Sequence, residues 1–400
     1  MNAYIVGAVR TAAGRRKGAL SHWHPAELGA RAIDGLMAQV GIAGPEMLGR
    51  IDDVILGCVS QVGAQSCNVA RGAVLSSALP MSVPATTVDR QCGSSQQAIH
   101  FAAQAVMSGT GQDAVIAGGV EVMSAIPIFS NVVRGDGASF PLGSPNSITM
   151  NARYDDGRDT PFFSQFTGAE LMCDKYALAR PELEVFAADS HRKAAVATAE
   201  GRFRREIIAV DGRDREGNAV RLVDDEGIRV GTTAEKLAEL DPLSPGGRLT
   251  AGTASQISDG AAAVLVMNER GLETFGLAPR ARVVALGLAA SDPVLMLWGP
   301  VPATQTALAR AELTIGDIDL FEVNEAFASV PLGWAKDVGA DPTKLNVNGG
   351  ACALGHPLGA TGAKLMTTLL HELERTNARY GLQAICEGGG TANATIIERV

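Results

Sequence analysis

Apolar residues along this chain recur with the period of a helix and then of a buried strand, and that alternation appears twice. Near the start, Ala26, Leu28, Ala32, Ile33, Leu36 and Val40 fall on one helical face, behind a Pro25 suited to a first turn and ahead of Gly41. Gly49-Arg50-Ile51-Asp52-Asp53-Val54-Ile55-Leu56-Gly57 then reads as a turn entering a buried strand. Near the end, Gly316-Asp317-Ile318-Asp319-Leu320-Phe321-Glu322-Val323-Asn324 repeats that pattern, after a helical segment that Pro302 opens and Ala307, Leu308, Ala311 and Leu313 continue. About forty residues beyond each strand, a glycine-rich loop opens another helix. Cys92-Gly93-Ser94-Ser95 opens one, running through Ala98, Phe101, Ala102, Ala105 and Val106 to Gly109. Gly355-His356-Pro357-Leu358-Gly359-Ala360-Thr361-Gly362 opens the other, through Leu365, Met366, Leu369, Leu370 and Leu373. Each helix feeds a strand ending in glycines, Asp113 to Gly119 and Gln383 to Gly390. Strands alternating with helices predict βαβ units and a buried, mostly parallel sheet.

The repeat divides the chain. Residues 1–120 with 252–272 form one α/β half, since Asp259 to Val266 reads as a strand returning to it. Residues 273–400 form the other. Residues 121–251, with a Gly-, Pro- and Asn-bearing run from Gly135 to Thr160, read as an inserted region, because a structureless loop of that length is uncommon.

Composition narrows the function. Hydrophobic residues at 46% and charged residues at 19% describe a chain with a large core rather than a disordered one. A net charge of -9 argues against nucleic acid as a partner. The N-terminal segment lacks a basic signal region and no apolar run is long enough to span a bilayer, so no membrane insertion is expected. The six cysteines contain no C-x-x-C pair, which gives no support to a metal site and reads as reduced thiols of a cytoplasmic protein.

Three of the repeated segments carry reactive side chains. Cys92 precedes a helix, where the macrodipole favours a thiolate nucleophile; a small packing residue at a tight turn is the competing reading. His356 occupies the corresponding loop of the second half, and an imidazole beside a thiol activates it; a lone loop histidine is more often structural. Cys386 ends the last strand before Gly388-Gly389-Gly390. A second thiol there can move a proton, and the glycines let amides approach a reacting oxygen. Asn324, in Asn324-Glu325-Ala326-Phe327, can orient a water or simply occupy a turn.

With the Cys92 block, Asn324-Glu325-Ala326-Phe327, Gly349-Gly350-Ala351-Cys352-Ala353-Leu354-Gly355-His356-Pro357 and Cys386-Glu387-Gly388-Gly389-Gly390 in order on one chain, the sequence resembles the thiolase family of acetyl-CoA acetyltransferases and 3-ketoacyl-CoA thiolases along essentially its whole length. The resemblance implies an α/β fold of two similar βαβαβαββ halves in a five-layered α-β-α-β-α core with an inserted loop domain for coenzyme A binding and oligomer contacts. It implies an acyl-CoA acetyltransferase cleaving a 3-ketoacyl-CoA with coenzyme A, or running the reverse Claisen condensation. Cys92 would be acylated, His356 would activate it and share an oxyanion hole with a water held by Asn324, and Cys386 would be the general acid/base. The backbone amides of Cys92 and Gly388 would form a second oxyanion hole. Ser255 matches a serine contacting pantetheine, Met296 and Phe327 match the acyl pocket, and Arg229 is the best match for an arginine at the nucleotide end. Acyl-CoA and coenzyme A would be the small-molecule partners, with no permanently bound cofactor, and the protein would be a homodimer or homotetramer.

Two departures bear on substrate. The last block continues Thr391-Ala392-Asn393 where the family often has Gln-Gly, and Ser164-Gln165-Phe166-Thr167-Gly168-Ala169-Glu170 stands where a Met-bearing segment is usual. They point away from a narrow acetoacetyl-CoA specificity and toward degradative thiolases of bacterial lipid or steroid catabolism. A biosynthetic short-chain acetoacetyl-CoA thiolase, a synthase of the same broad fold and a non-catalytic acyl-CoA-binding relative are the alternatives; the last would be expected to lose Cys92, His356 or Cys386. Gly359 to Lys364 only faintly matches a phosphate-binding loop. Cys58, Cys67 and Cys352 read as small packing residues.

Overall fold

The computed structural model describes residues 1–132, 147–154 and 163–400, so most of the Gly135–Thr160 run lies outside the described residues. The first half begins with β1 (Tyr4–Thr11), α1 (Pro25–Val40), β2 (Asp53–Gly57) and α2 (Val69–Ser76). It continues with β3 (Ala85–Val88), α3 (Ser94–Ser108) and β4 (Ala114–Val122). Helices α4 (Gln165–Lys175) and α5 (Arg180–Ala199) follow, then a two-stranded hairpin, Val210–Arg213 with Ala219–Leu222. Strand β5 (Ser258–Met267) returns to the first half. The second half runs β6 (Ala281–Ala290), α6 (Pro300–Ala311), β7 (Leu320–Val323), α7 (Ser329–Val338), α8 (Thr361–Thr376), β8 (Tyr380–Cys386) and β9 (Thr391–Arg399).

These nine strands form one path, β7-β8-β9-β6-β1-β5-β4-β2-β3, and among the described residues the short strands Gly14–Arg15 and Ile207–Ile208 pair with it at β5 and β1. The halves join where Tyr4 and Ile5 of β1 meet Arg282 and Ala281 of β6, a register of only two pairs. Between the two sheets, α3 and α8 pack into one core with Ile5, Ala117, Val264 and Ile397. Helices α1 and α2 cover the outer face of the first sheet, and α6 and α7 that of the second. The layers are therefore α-β-α-β-α.

The expected parallel sheet is corrected to a mixed one. β2 is parallel to β3 and β4, and β7 to β8. The other five neighbouring pairs are antiparallel. The cause is local at β9: it leaves β8 through the tight Gly388–Gly390 turn with no crossover helix, so it must run back. The second half also holds only an isolated Phe321–Leu345 bridge where the first half has β3.

Element ends follow local chemistry. His24 Nδ1 accepts from the Ala26 amide and Gly41 adopts a left-handed φ of 72°, which fixes both ends of α1. Helix α6 starts at Pro300 and ends before Leu313. Phe101, expected on the buried face of α3, is 41% exposed. Sandwiched between two sheets, α3 instead buries Gln96, Gln97 and His100, which bond to Thr395 and Asn393 of β9.

One close approach positions everything that follows. A Cβ on Gly119, near the end of β4, would lie 2.0 Å from the Gly359 carbonyl, and one on Gly362 would lie 2.1 Å from the Gln96 amide. The Ala363 amide donates to Ser95 Oγ at 2.9 Å. The two glycine-bearing helix starts therefore meet face to face.

Candidate active site

Cys92 sits in a turn tightened by Gly93 N–H to Arg90 O (3.1 Å) and Ser94 N–H to Gln91 O (3.0 Å), with Gln91 at a left-handed φ of 43°. Strain of this kind in a non-glycine residue clusters at functional sites. The turn delivers the half-buried thiol to the start of α3. The expected thiolate is corrected, however. Burial pushes the thiol well above its ordinary value, and Cys386 and Glu387 push it further. Desolvation outweighs the helix terminus, so the resting thiol keeps its proton and needs a base.

His356 supplies a lone pair in the required form. Asn324 Nδ2 can only donate, so His356 Nε2 accepts from it; Nδ1 then donates to Thr361 Oγ1 at 2.6 Å, and that hydroxyl gives its own hydrogen to the Pro357 carbonyl (2.9 Å). The proton is therefore on Nδ1, and Nε2 faces the Asn324 side-chain amide at 3.3 Å with its lone pair. Burial, and secondarily the Lys364 cation, pull the imidazole down to about 3. Lys364 Nζ is itself buried and donates to the Gly355 carbonyl at 3.1 Å, which pins the loop from behind. Asn324 Oδ1 is buried with no protein hydrogen-bond partner.

Cys386 ends β8, fully buried, its thiol pushed up to about 12 by burial and then by Glu387. Cys92, His356, Cys386 and Gly388 all line one cavity of about 540 Å³. So do Ser255, Met296, Phe327 and Arg229, leaving Asn324 as the one expected side chain outside the lining, one hydrogen bond behind His356. Ser255 is held there by its amide donating to Ala326 O at 2.9 Å, next to an Ala254–Phe327 bridge. Phe327 packs edge-on against Phe166 at 5.6 Å. Arg229 lies at an exposed rim, its amide bonded to His191 Nδ1, with Arg15, Arg16 and Arg215 on the same cavity.

A second cavity of about 640 Å³ shares Cys92, Ile128, Met296 and Gly388 with the first. It extends instead toward Val59, Met150, Tyr154, Phe163 and Pro293. No arginine or lysine lines it among the described residues. Cys92 thus stands at the junction of a cavity with a basic rim and one that mixes Val59, Met150, Tyr154 and Phe163 with Asp89, Gln91, Asn131 and Ser291.

Several of these residues escape the sequence reading. Thr361 is hidden in a loop whose histidine draws attention. Glu121 carries a usable signal, being the one acid in the otherwise uncharged strand β4. Its carboxyl accepts from the Val59, Ser60 and Gly359 amides and from Gln65 Nε2 at 2.8–3.0 Å, tying the His356 loop to the first half. Glu325 does the same for the insertion, accepting from Ser190 Oγ, Asn346 Nδ2 and the Cys352 amide. Cys58 and Cys352 are buried as expected, but Cys67 is exposed at a left-handed φ of 55° and is not a packing residue.

Comparison with known proteins agrees over the full length. The family description "Thiolase, N-terminal domain" matches residues 3–270 and "Thiolase, C-terminal domain" matches residues 277–399. The chain is 52% identical to the steroid 3-ketoacyl-CoA thiolase FadA6 of Mycobacterium tuberculosis, over 100% of this chain and 94% of that protein. It is 43% identical to a 3-ketoacyl-CoA thiolase of Pseudoalteromonas translucida, over 100% and 99%. The crystal structure of the Bacillus anthracis acetyl-CoA acetyltransferase superposes with a TM-score of 0.88 at 35% identity, covering 100% of this chain and 99% of that one.

Proposed function

This chain belongs to the thiolase family and is an acyltransferase, and we propose that it cleaves bulky 3-ketoacyl-CoA substrates with coenzyme A in lipid catabolism, steroid side chains included. The observation that carries the reading is the convergence of Cys92, His356 and Cys386 on one cavity, with Asn324 behind His356. His356 Nε2 takes the Cys92 proton as sulfur attacks the C3 carbonyl. The Cα–Cβ bond breaks, its electron pair stays on the acetyl-CoA carbon, and Cys386 protonates that carbon. The Cys386 thiolate then takes the proton of an incoming coenzyme A thiol, whose sulfur attacks acyl-Cys92 and releases the shortened acyl-CoA. His356 returns the proton to Cys92.

Charge develops on two carbonyl oxygens in the two half-reactions. His356, with a water on the orphaned Asn324 Oδ1, serves one, and the amides of Cys92 and Gly388 serve the other. Losing one such donor raises a barrier by about 2.7–4 kcal/mol in comparable sites. Ser255 and the rim arginines, Arg229 among them, hold coenzyme A, and Met296 and Phe327 border the acyl group. We assign residues 1–120 with 252–272 and residues 273–400 as the two catalytic halves, and 121–251 as the loop domain for coenzyme A and oligomer contacts. The working unit is a homodimer or homotetramer in the cytoplasm, with coenzyme A as co-substrate and no resident cofactor. No helix among the described residues is long and apolar enough to cross a membrane.

The second cavity, which opens beside Cys92 and carries no arginine or lysine among the described residues, favours a wide acyl group over acetoacetyl-CoA alone. Mixing the enzyme, without free coenzyme A, with equal acetoacetyl-CoA and a steroid or long-chain 3-ketoacyl-CoA tests this by peptide mass spectrometry. The shortened bulky acyl group on Cys92 is expected. Acetyl alone would reverse the substrate reading, and no adduct across a broad substrate panel would overturn the activity.

A further inference from the structure

The mechanism leaves one buried acid of the cavity unused. Glu387 follows Cys386, lines the cavity, and is fully buried with neither carboxyl oxygen in a hydrogen bond. Its carboxyl packs on the residue after Cys92 so closely that a Cβ on Gly93 would fall 1.8 Å from Oε1. An ionised carboxylate in that place would be a buried charge that only the Thr391 hydroxyl and the Arg90 cation help to offset, at a cost that neutralisation avoids. The charged and titratable groups around it are Cys386 on its own strand and Cys92, Asp89 and Arg90 in the turn before α3. The Thr391 hydroxyl lies at the start of β9.

We propose that Glu387 is a charge-setting residue of this site: neutral, it lets Cys92 and Cys386 pass through their thiolate forms, and ionised, it suppresses both. The inference rests on the thiol chemistry proposed above and adds a group to it. Both thiols must carry a negative sulfur at some point in the cycle, Cys92 on attack and Cys386 after protonating the acetyl carbon. A fixed negative charge packed between the Cys92 turn and the Cys386 strand opposes each of these events. No proton needs to pass through Glu387, so the balance of the reaction is untouched.

Burial holds this carboxyl up at about 8, with Thr391 and Arg90 only partly offsetting it. The sign follows. The neutral form prevails below that pH, and activity falls as pH rises through it, by about tenfold between pH 7 and pH 9 for one group at that position. Glu387→Gln keeps the size and removes the titration. Each variant's kcat/KM profile is read relative to its own maximum, together with the pH dependence of Cys92 alkylation by iodoacetamide, located by peptide mass spectrometry. The alkaline fall is expected to disappear in Glu387→Gln and in Glu387→Val, and Cys92 alkylation to shift to lower pH in both. An alkaline limb retained in folded variants, with unshifted alkylation, overturns the role of Glu387. Failure of wild-type Cys92 to be acylated by any 3-ketoacyl-CoA instead overturns the activity on which it rests.

Discussion

Replacing Thr361 by Val tests how the site makes a base out of a buried imidazole. With His356 Nε2 accepting from Asn324 Nδ2, the Nδ1 proton goes to the Thr361 hydroxyl, whose own hydrogen goes to Pro357 O. Valine keeps the shape and removes the acceptor. Neutral His356 would then hold a buried N–H with no partner, or shift its proton to Nε2 and lose the lone pair that faces the site. As His356 takes the Cys92 proton it becomes a cation, and a hydrogen bond to a charged group contributes about 1.5–3 kcal/mol. At about 1.36 kcal/mol per decade, acylation should slow by roughly tenfold to 150-fold. The assay is single-turnover transfer of the acyl group to Cys92 without free coenzyme A, quenched and read by mass spectrometry. Thr361→Ser restores the acceptor and should recover most of the rate, whereas a general loosening of the helix start would not be repaired selectively. Wild-type acylation by Thr361→Val would refute both the tautomer and the role of His356 as base.

Four further outcomes follow from the same geometry. Because burial takes His356 down to about 3, its neutral form persists as pH falls from 7 to 5, and the acylation rate should show no loss centred near 6.5; such a limb would contradict the assignment. Glu121→Ala strips the acceptor from four buried donors at about 1–3 kcal/mol each, so urea unfolding should report a loss of at least about 4 kcal/mol. Gly119→Ala sets a methyl against the Gly359 carbonyl; overpacking costs about 1–3 kcal/mol, and turnover should fall more steeply than stability because that loop carries His356. Ile128→Trp narrows the junction of the two cavities and should depress kcat/KM for a bulky 3-ketoacyl-CoA more than for acetoacetyl-CoA; an unchanged ratio would detach the second cavity from acyl selection.

What could be read from the sequence was what repeats or reacts. The period of α1, the Cys92 turn and the His356 loop each stand out in a single pass, because apolar spacing and glycine-bounded reactive residues are local signals. The direction of β9 was not legible, since Gly388 to Gly390 can end a strand or reverse it, and only pairing with β6 and β8 decides. Nor was the state of Cys92. A helix start argues for a thiolate, but the desolvation that overrides it comes from residues hundreds of positions away. Glu121 shows the same limit: an acid in an apolar strand announces a partner without saying that the partner is the Gly359 amide of the other half.

The duplication explains why a thiol so poorly ionised can still serve. Two copies of a glycine-bearing loop and helix pack with Ser95 against Ala363 and Gln96 against Gly362, so the first turn of one half faces the first turn of the other. A symmetric pair of this kind would present two equivalent helix starts and no chemistry. Asymmetry enters through single residues: a cysteine on one loop, a histidine on the other, and a threonine that fixes the proton of that histidine. The contact admits little else, because glycine at 57, 119, 359 and 362 is what lets the loops touch, and a Cβ at any of them would meet backbone within 3 Å. Close packing then raises the cost of charge for every group in the site. Cys92, His356, Cys386 and Glu387 are all driven toward their neutral forms, so the resting site is uncharged at its centre. A proton crossing from Cys92 to His356 creates an ion pair where none existed, favoured only once an acyl carbonyl is present to take the electrons. In such a site the nucleophile is made by the substrate's arrival, which protects both thiols from reaction at rest.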